Sequence, residues 1–241
     1  MDSSKPAAVV FGAKNLGRAI SAHLLDQGWN VAAAARSEST IEALLYQHPT
    51  VLATATDLGE PGAAAGVLEG AKEKFGRLDL VVNAIADPQV SAAALSRERD
   101  EGAHLESTIG TAVAPVHHVV DAALGLLRAQ HHGCLIQITG GLALRAQPGT
   151  GALAATGYAT RALIEGVVPE AREDGVHVAL LVIRGMIESP LTAESLRDLP
   201  PDASMTDGDV TAAIDLLVAQ REGRAWTHEL VLTPPGARWQ G

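Results

Sequence analysis

The stretch Ala7-Ala8-Val9-Val10-Phe11-Gly12-Ala13-Lys14-Asn15-Leu16-Gly17-Arg18-Ala19-Ile20 decides how this chain is read. Five apolar residues without polar alternation describe a short strand covered on both faces, as in a parallel sheet between helix layers. A glycine turn follows, and helical periodicity starts near residue 16. Backbone N–H groups in such a turn, at the amino end of a helix, can approach a pyrophosphate. Gly12 makes the turn, Gly17 lets helix pack closely on strand, and Lys14, Asn15 and Leu16 line the approach. A tight turn between strand and helix favours glycine even without a ligand, so the surroundings must decide.

Those surroundings repeat the pattern. Val31–Ala35, Val51–Ala55, Leu78–Ala84, Leu135–Thr139, Val176–Ile183 and Trp226–Leu232 read as further buried strands. Helical stretches fall near 16–27, 39–47, 61–75, 100–129, 154–173 and 208–221. Pro61 suits a first helical turn, and Gly28, Gly76 and Gly175 stand where helices should stop. The alternation predicts an α/β protein: a single-domain, Rossmann-type, doubly wound parallel sheet of about seven strands with helices on both faces. Residues 1–241 read as one dinucleotide-binding domain. Residues 186–207, with three prolines and little periodicity, read as a substrate loop or lid.

Composition narrows the function. The 241 residues are 47% hydrophobic and only 3% aromatic, so the core is layered from small side chains. A net charge of −10 argues against a nucleic-acid surface, which needs clustered cations. No run of 18 apolar residues occurs, so no membrane span is expected. The amino terminus does not read as a signal peptide, and the expected location is cytoplasmic. Cys134 is the sole cysteine, which excludes an internal disulfide. His117-His118 and His131-His132 are poor chelates, because adjacent helical residues diverge by about 100°; no metal is expected. No Gly-x-Ser-x-Gly elbow occurs, which disfavours a serine hydrolase. The expected partner is a small-molecule substrate.

The end of the second strand points to one cofactor. An acid there holds the ribose 2′-hydroxyl of NAD, whereas an arginine accommodates the 2′-phosphate of NADP. The strand ends Ala33-Ala34-Ala35-Arg36-Ser37, and Lys14 supplies a second cation nearby, so NADP is preferred over NAD.

In order along the chain, these blocks resemble the short-chain dehydrogenase/reductase family. Gly12 to Ile20 resembles its glycine turn, and Asp57-Leu58 resembles the acid-plus-apolar pair flanking adenine. Asp79 to Ala86 resembles the fourth-strand motif ending Asn-Asn-Ala-Gly, and Arg184 to Leu191 resembles the Pro-Gly-x-x-x-Thr segment around nicotinamide. The resemblance implies that Asp57 and Leu58 meet the adenine, that Asn83 and Ala84 steady the central strand beside the cofactor, and that Ile187 and Ser189 hold the carboxamide. It also implies a homodimer or homotetramer. The glycine turn is one residue shorter than the family's, and Arg184 stands where the family has proline.

The catalytic positions depart further. The family's tyrosine needs a cation four residues later, because a phenol near pKa 10 is a poor base at neutral pH. The Ala-Leu-x-Glu-Gly tail aligns Arg161 with that lysine, which puts Gly157 at the tyrosine position and Tyr158 beside it. Tyr158 and Arg161, three residues apart, share a helix face; the alternative is a packing or interface role for Tyr158. The serine position falls on Gly140, and Thr139 could replace it only if the strand bulges or bends there. The relay asparagine position falls near Thr111, and Pro115 inside the long helix would free a backbone carbonyl for water.

Three functions follow. One is an NADP(H)-dependent carbonyl or alcohol oxidoreductase with an atypical site of Tyr158, Arg161 and Thr139. The others are a nucleotide-binding sensor or partner protein without hydride transfer, and a non-redox enzyme on the same fold.

Overall fold

The computed structural model describes residues 4–85 and 110–237. In chain order the elements are β1 (Ala7–Phe11), α1 (Leu16–Asp26), β2 (Asn30–Ala35), α2 (Glu38–Gln47), β3 (Leu52–Ala55), α3 (Ala63–Phe75) and β4 (Leu80–Asn83). They continue with α4 (Ala114–Gln130), β5 (Cys134–Gly140), a 3-10 turn (Gly141–Ala143), α5 (Gly151–Glu173) and β6 (His177–Ile183). Last come β7 (Met186–Ile187), α6 (Ala193–Leu196), β8 (Ser204–Met205), α7 (Asp207–Gln220) and β9 (Glu229–Leu232).

Seven strands form one parallel sheet in the order β3-β2-β1-β4-β5-β6-β9. The order reverses direction between β1 and β4. Ligands of open α/β sheets bind at such a switch point, beyond the carboxyl ends of the strands. Alternate side chains feed two layers. Val9, Phe11, Val81, Leu135 and Leu180 pack against α3, α4 and α5. Val10, Val82, Ile136, Ile138 and Leu181 pack against α1 and α7. Burial overrides propensity in β2: its four consecutive alanines are good helix formers, yet all four are buried in extended backbone between two helix layers.

Several boundaries differ from the sequence reading. Helix α3 starts at Ala63 behind a left-handed Gly62, so Pro61 precedes the helix instead of opening it. Gly28, Gly76 and Gly175 do follow helix ends with positive φ. The described part of the expected 100–129 helix is interrupted at residue 113, and α4 begins at Ala114. Pro115 therefore lies in a first turn, where its missing N–H costs nothing, and not in a helix interior. Residues 100–109 of that expected helix lie outside the described residues.

By length and composition Gly110–Gln130 could cross a bilayer, which the sequence reading had excluded. In this fold Val116, Val119, Val120, Ala123 and Leu127 bury its stripe against the sheet, as in any core helix. The proline-rich segment 186–207 carries short structure: β7 and β8 pair in parallel, with α6 and a 3-10 turn between them.

Candidate active site

The glycine turn is held against the neighbouring strand. Gly12 and Ala13 N–H both donate to the Ala34 carbonyl, at 2.9 and 3.1 Å, so the turn and the end of β2 form one edge carrying Lys14 and Arg36. Both cations are exposed. Gly12 has φ +83, and a Cβ there would sit 2.6 Å from the Ala84 carbonyl oxygen; one at Gly17 would sit 2.2 Å from the Gly12 oxygen. The turn is thus too close to β4 and to its own helix for any side chain at these positions.

Lys14 N–H donates to Gly12 and Gly17 N–H to Lys14, whereas among the described residues no carbonyl accepts from Asn15 or Leu16. Two uncommitted N–H groups at the amino end of α1 are the donors an anionic group would meet. The shortened turn has a cost of its own. Asn15 holds φ 46 and ψ −110, a combination natural only to glycine.

The other sequence-derived cofactor residues lie at the same carboxyl edge, several already engaged. Asp57 accepts the Gly59 N–H at 2.9 Å with one oxygen, and the Leu58 carbonyl accepts from Nδ1 of His118 at 3.0 Å. Asn83 is fully buried and donates to Oε1 of Gln137 at 2.8 Å, an amide pair clamping β4 to β5. Its Oδ1 accepts from the Ile85 N–H, and Ala84 is half-buried beneath Gly12. The Ser189 hydroxyl pairs with the Thr192 hydroxyl at 3.0 Å, and Thr192 donates to the Ile187 carbonyl at 2.6 Å. Thr192 was missed, although the Ser-x-x-Thr spacing is a readable turn signal.

The catalytic candidates are not brought together. Tyr158 is 44% exposed and its hydroxyl donates to the Leu144 carbonyl at 3.0 Å. Arg161 turns to the sheet edge, where its Nε lies 2.8 Å from Glu165 and 3.0 Å from Glu229 of β9. The expected cation-assisted phenol is therefore not formed, because each polar group has its own partner. Strand β5 runs in register to its end, Thr139 opposite Val182 and Gly140 opposite Ile183, so the bulge that Thr139 requires is missing. Strand alternation puts Thr139 on the face of Leu135 and Gly140 on the face of Ile136 and Ile138. No hydrogen bond joins Tyr158, Arg161 and Thr139 among the described residues.

A family model described as short chain dehydrogenase matches residues 5–200. The chain belongs to the short-chain dehydrogenase family. Among curated proteins it is similar to the dehydrogenase subunit BbsC of Thauera aromatica, at 25% identity over 90% of this chain and 88% of that one. It is also similar to the NADPH-dependent reductase BacG of Bacillus subtilis, at 28% identity over 58% of this chain and 55% of that one. Solved structures share the fold. A betaketoacyl-ACP reductase from Bacteroides thetaiotaomicron superposes with a TM-score of 0.79 at 16% identity, covering 96% of this chain and 97% of its own. ElxO with NADP bound gives 0.77 at 17% identity, covering 94% and 96%.

The two positions that the sequence reading aligned with the family's serine and tyrosine differ physically. At Gly140 an added Cβ meets nothing within 4 Å. At Gly157 it would lie 2.8 Å from the Ala143 nitrogen, 2.9 Å from Ala143 Cα and 3.2 Å from the Leu142 carbonyl carbon. Helix α5 has settled onto the backbone of the 3-10 turn, so the start of a tyrosine side chain at 157 is occupied by main chain. Position 140 is open, and position 157 is closed.

Two polar clusters lie at the opposite, amino edge of the sheet. Burial opposes ionisation of Asp79, but hydrogen bonds from Arg77, at 2.6 and 2.7 Å, from the Ala7 N–H and from His132 outweigh it and hold its carboxyl below the usual range. Burial lowers the pKa of His177, whose Nε2 faces the Thr227 carbonyl at 3.0 Å, and pushes the Cys134 thiol up to about 12. Cys134 is a core residue without thiolate character. Among the described residues no His, Cys, Asp and Glu group suits a metal ion.

Proposed function

We propose that the protein is an NADP(H)-dependent oxidoreductase of a small-molecule carbonyl or alcohol, working without the family's tyrosine and serine. The observation carrying the cofactor reading is the pair of uncommitted N–H groups of Asn15 and Leu16, beside an edge bearing Lys14 and Arg36. In this reading Gly12, Gly17 and Ala84 give the pyrophosphate its close approach, and Arg36 with Lys14 takes the 2′-phosphate. Asp57 and Leu58 meet the adenine, Asn83 keeps β4 and β5 in register beneath it, and Ile187 and Ser189 meet the carboxamide. The printed names of BacG and of NADP-bound ElxO support the same cofactor. When bound, the cofactor would supply the hydride for the carbonyl carbon, and a water molecule would protonate the oxygen, so the products are an alcohol, the oxidised cofactor and a hydroxide that the solvent neutralises. Water is the proton source in this reading because the Tyr158 hydroxyl is directed at the Leu144 carbonyl and a Cβ at 157 would crowd the main chain of Leu142 and Ala143. We further place the protein in the cytoplasm as a homodimer or homotetramer.

The closed tyrosine position favours a second reading, a dinucleotide-binding protein without turnover. Calorimetric titration with NADPH and NADH, alongside NADPH oxidation against a carbonyl panel, separates the two. NADPH is expected to bind at least about tenfold more tightly than NADH, and Arg36→Ser to remove that margin. Equal affinity in the wild type overturns the NADP assignment, and binding without oxidation selects the second reading.

A further inference from the structure

Residues 190–203, the outer part of the lobe that runs from β7 to β8, have no buried side chain to hold them down. Every one is exposed or half-buried, Leu191 and Leu199 included. The lobe's hydrogen bonds are largely its own: Thr192 donates to the Ser189 hydroxyl and the Ile187 carbonyl, and Ser204 to Glu188. A segment with so few buried apolar contacts opens at low cost. Among the described residues one backbone hydrogen bond leaves this outer part: the Gly236 N–H donates to the Asp202 carbonyl at 2.7 Å.

Gly236 arrives there on a stiff piece of chain. Beyond β9, Pro234 and Pro235 fix two successive φ angles, and the Ala237 N–H donates to the Pro234 carbonyl at 3.0 Å, closing a turn that contains Gly236. The same piece is seated on the root of the lobe. The Arg184 N–H donates to the Leu232 carbonyl at 2.8 Å, and a Cβ on Gly185 would lie 2.7 Å from two ring carbons of the buried Pro234 and 3.3 Å from Met205 Cε. At the tip, a Cβ on Gly236 would fall on the Asp202 carboxylate, 2.6 Å from its Cγ and 2.9 Å from the Asp202 carbonyl carbon. Each glycine omits the side chain that would hold strap and lobe apart.

We propose that residues 233–237 are a strap that controls the opening of this lobe: seated on the root at Gly185, it latches the outer part through Gly236 and Asp202. When the latch parts, residues 190–203 swing away from β7 and β8, whose pairing and buried Met205 keep the root in the core. The lobe follows the carboxyl end of β6, the edge at which ligands of such sheets bind, so the latch controls entry to that edge. The device stands whether or not the protein transfers a hydride.

Trypsin reads the open population, because Arg197 lies exposed in the outer part. Cleavage after Arg197 is timed in the cofactor-free full chain, with Arg128 of α4 and Arg172 of α5 as internal references. Gly236→Val, whose side chain has no room against Asp202, is expected to speed cleavage after Arg197 at least about tenfold and to leave the references unchanged. The double variant Asp202→Cys, Gly236→Cys perturbs the latch in the opposite direction, because the two side-chain positions are near enough for a disulfide. Oxidised, it is expected to be cut after Arg197 at least about tenfold more slowly than reduced. Unchanged cleavage in Gly236→Val, failure of the double variant to form its disulfide, or equal cleavage of its oxidised and reduced forms overturns the proposal. So does acceleration after Arg128 and Arg172 in step with Arg197, which would make the strap a support of the whole fold.

Discussion

Replacing Gly157 by alanine should separate a helix that tolerates a side chain from one that has closed upon its neighbour. Two opposing effects act. Alanine stabilises a helix interior over glycine by about 1 kcal/mol. Against this, the new methyl would lie 2.8 and 2.9 Å from two backbone atoms of Ala143 and 3.2 Å from a third in Leu142. Carbon contacts are normally at about 3.5–4.0 Å, and a main-chain wall cannot swing aside as a flexible side chain does. Overpacking of this kind costs about 1–3 kcal/mol. The net effect of Gly157→Ala is therefore between roughly zero and about 2 kcal/mol of destabilisation.

Gly166 lies in the same helix, is exposed, and an added Cβ meets nothing within 4 Å, so Gly166→Ala keeps the whole propensity gain. The two variants should differ by about 1–3 kcal/mol, several degrees in Tm for a chain of this size. Equilibrium urea unfolding with equal m values measures the difference directly. A Gly157→Ala protein as stable as Gly166→Ala would refute the closure of position 157, and with it the reason for denying that position a side chain.

Acid should weaken the fold in two steps. His177 has a lowered pKa when folded, so below about pH 6.5 the unfolded chain takes up a proton that the native state resists. Stability should then fall by up to about 1.4 kcal/mol per pH unit, a slope that His177→Gln removes; an unchanged slope in that variant sinks the assignment. Asp79, also lowered, stabilises above the unfolded carboxylate range and loses that contribution as pH falls through its folded pKa, so Asp79→Asn should abolish the second step seen in urea midpoints below pH 4. At the shortened glycine turn, Asn15→Gly exchanges a strained backbone worth about 1–3 kcal/mol for the chain entropy of glycine, about 0.5–1 kcal/mol. A gain of about 1 kcal/mol in thermal unfolding is expected, and a loss would mean the Asn15 conformation is not strained.

The amino-acid sequence by itself determined the architecture. Unalternated apolar runs such as Ala7–Phe11, and left-handed glycines such as Gly76 after a helix, are local signals whose meaning depends on a few neighbours and on being covered from both sides. The motif order likewise made the family and the glycine turn legible, because a backbone that approaches β4 so closely at Gly12 leaves no room for a side chain. Only the tertiary structure decided the catalytic end. Arg161 meets Glu229 across 68 residues, Tyr158 meets a carbonyl in the preceding loop, and Gly157 touches the main chain of a 3-10 turn. Arg184 settles on Gly141 because the register of β5 and β6 brings them level. These meetings depend on how far a helix slides over a sheet and on which partner a long side chain reaches first. Neither distance is encoded in the spacing of residues along the chain.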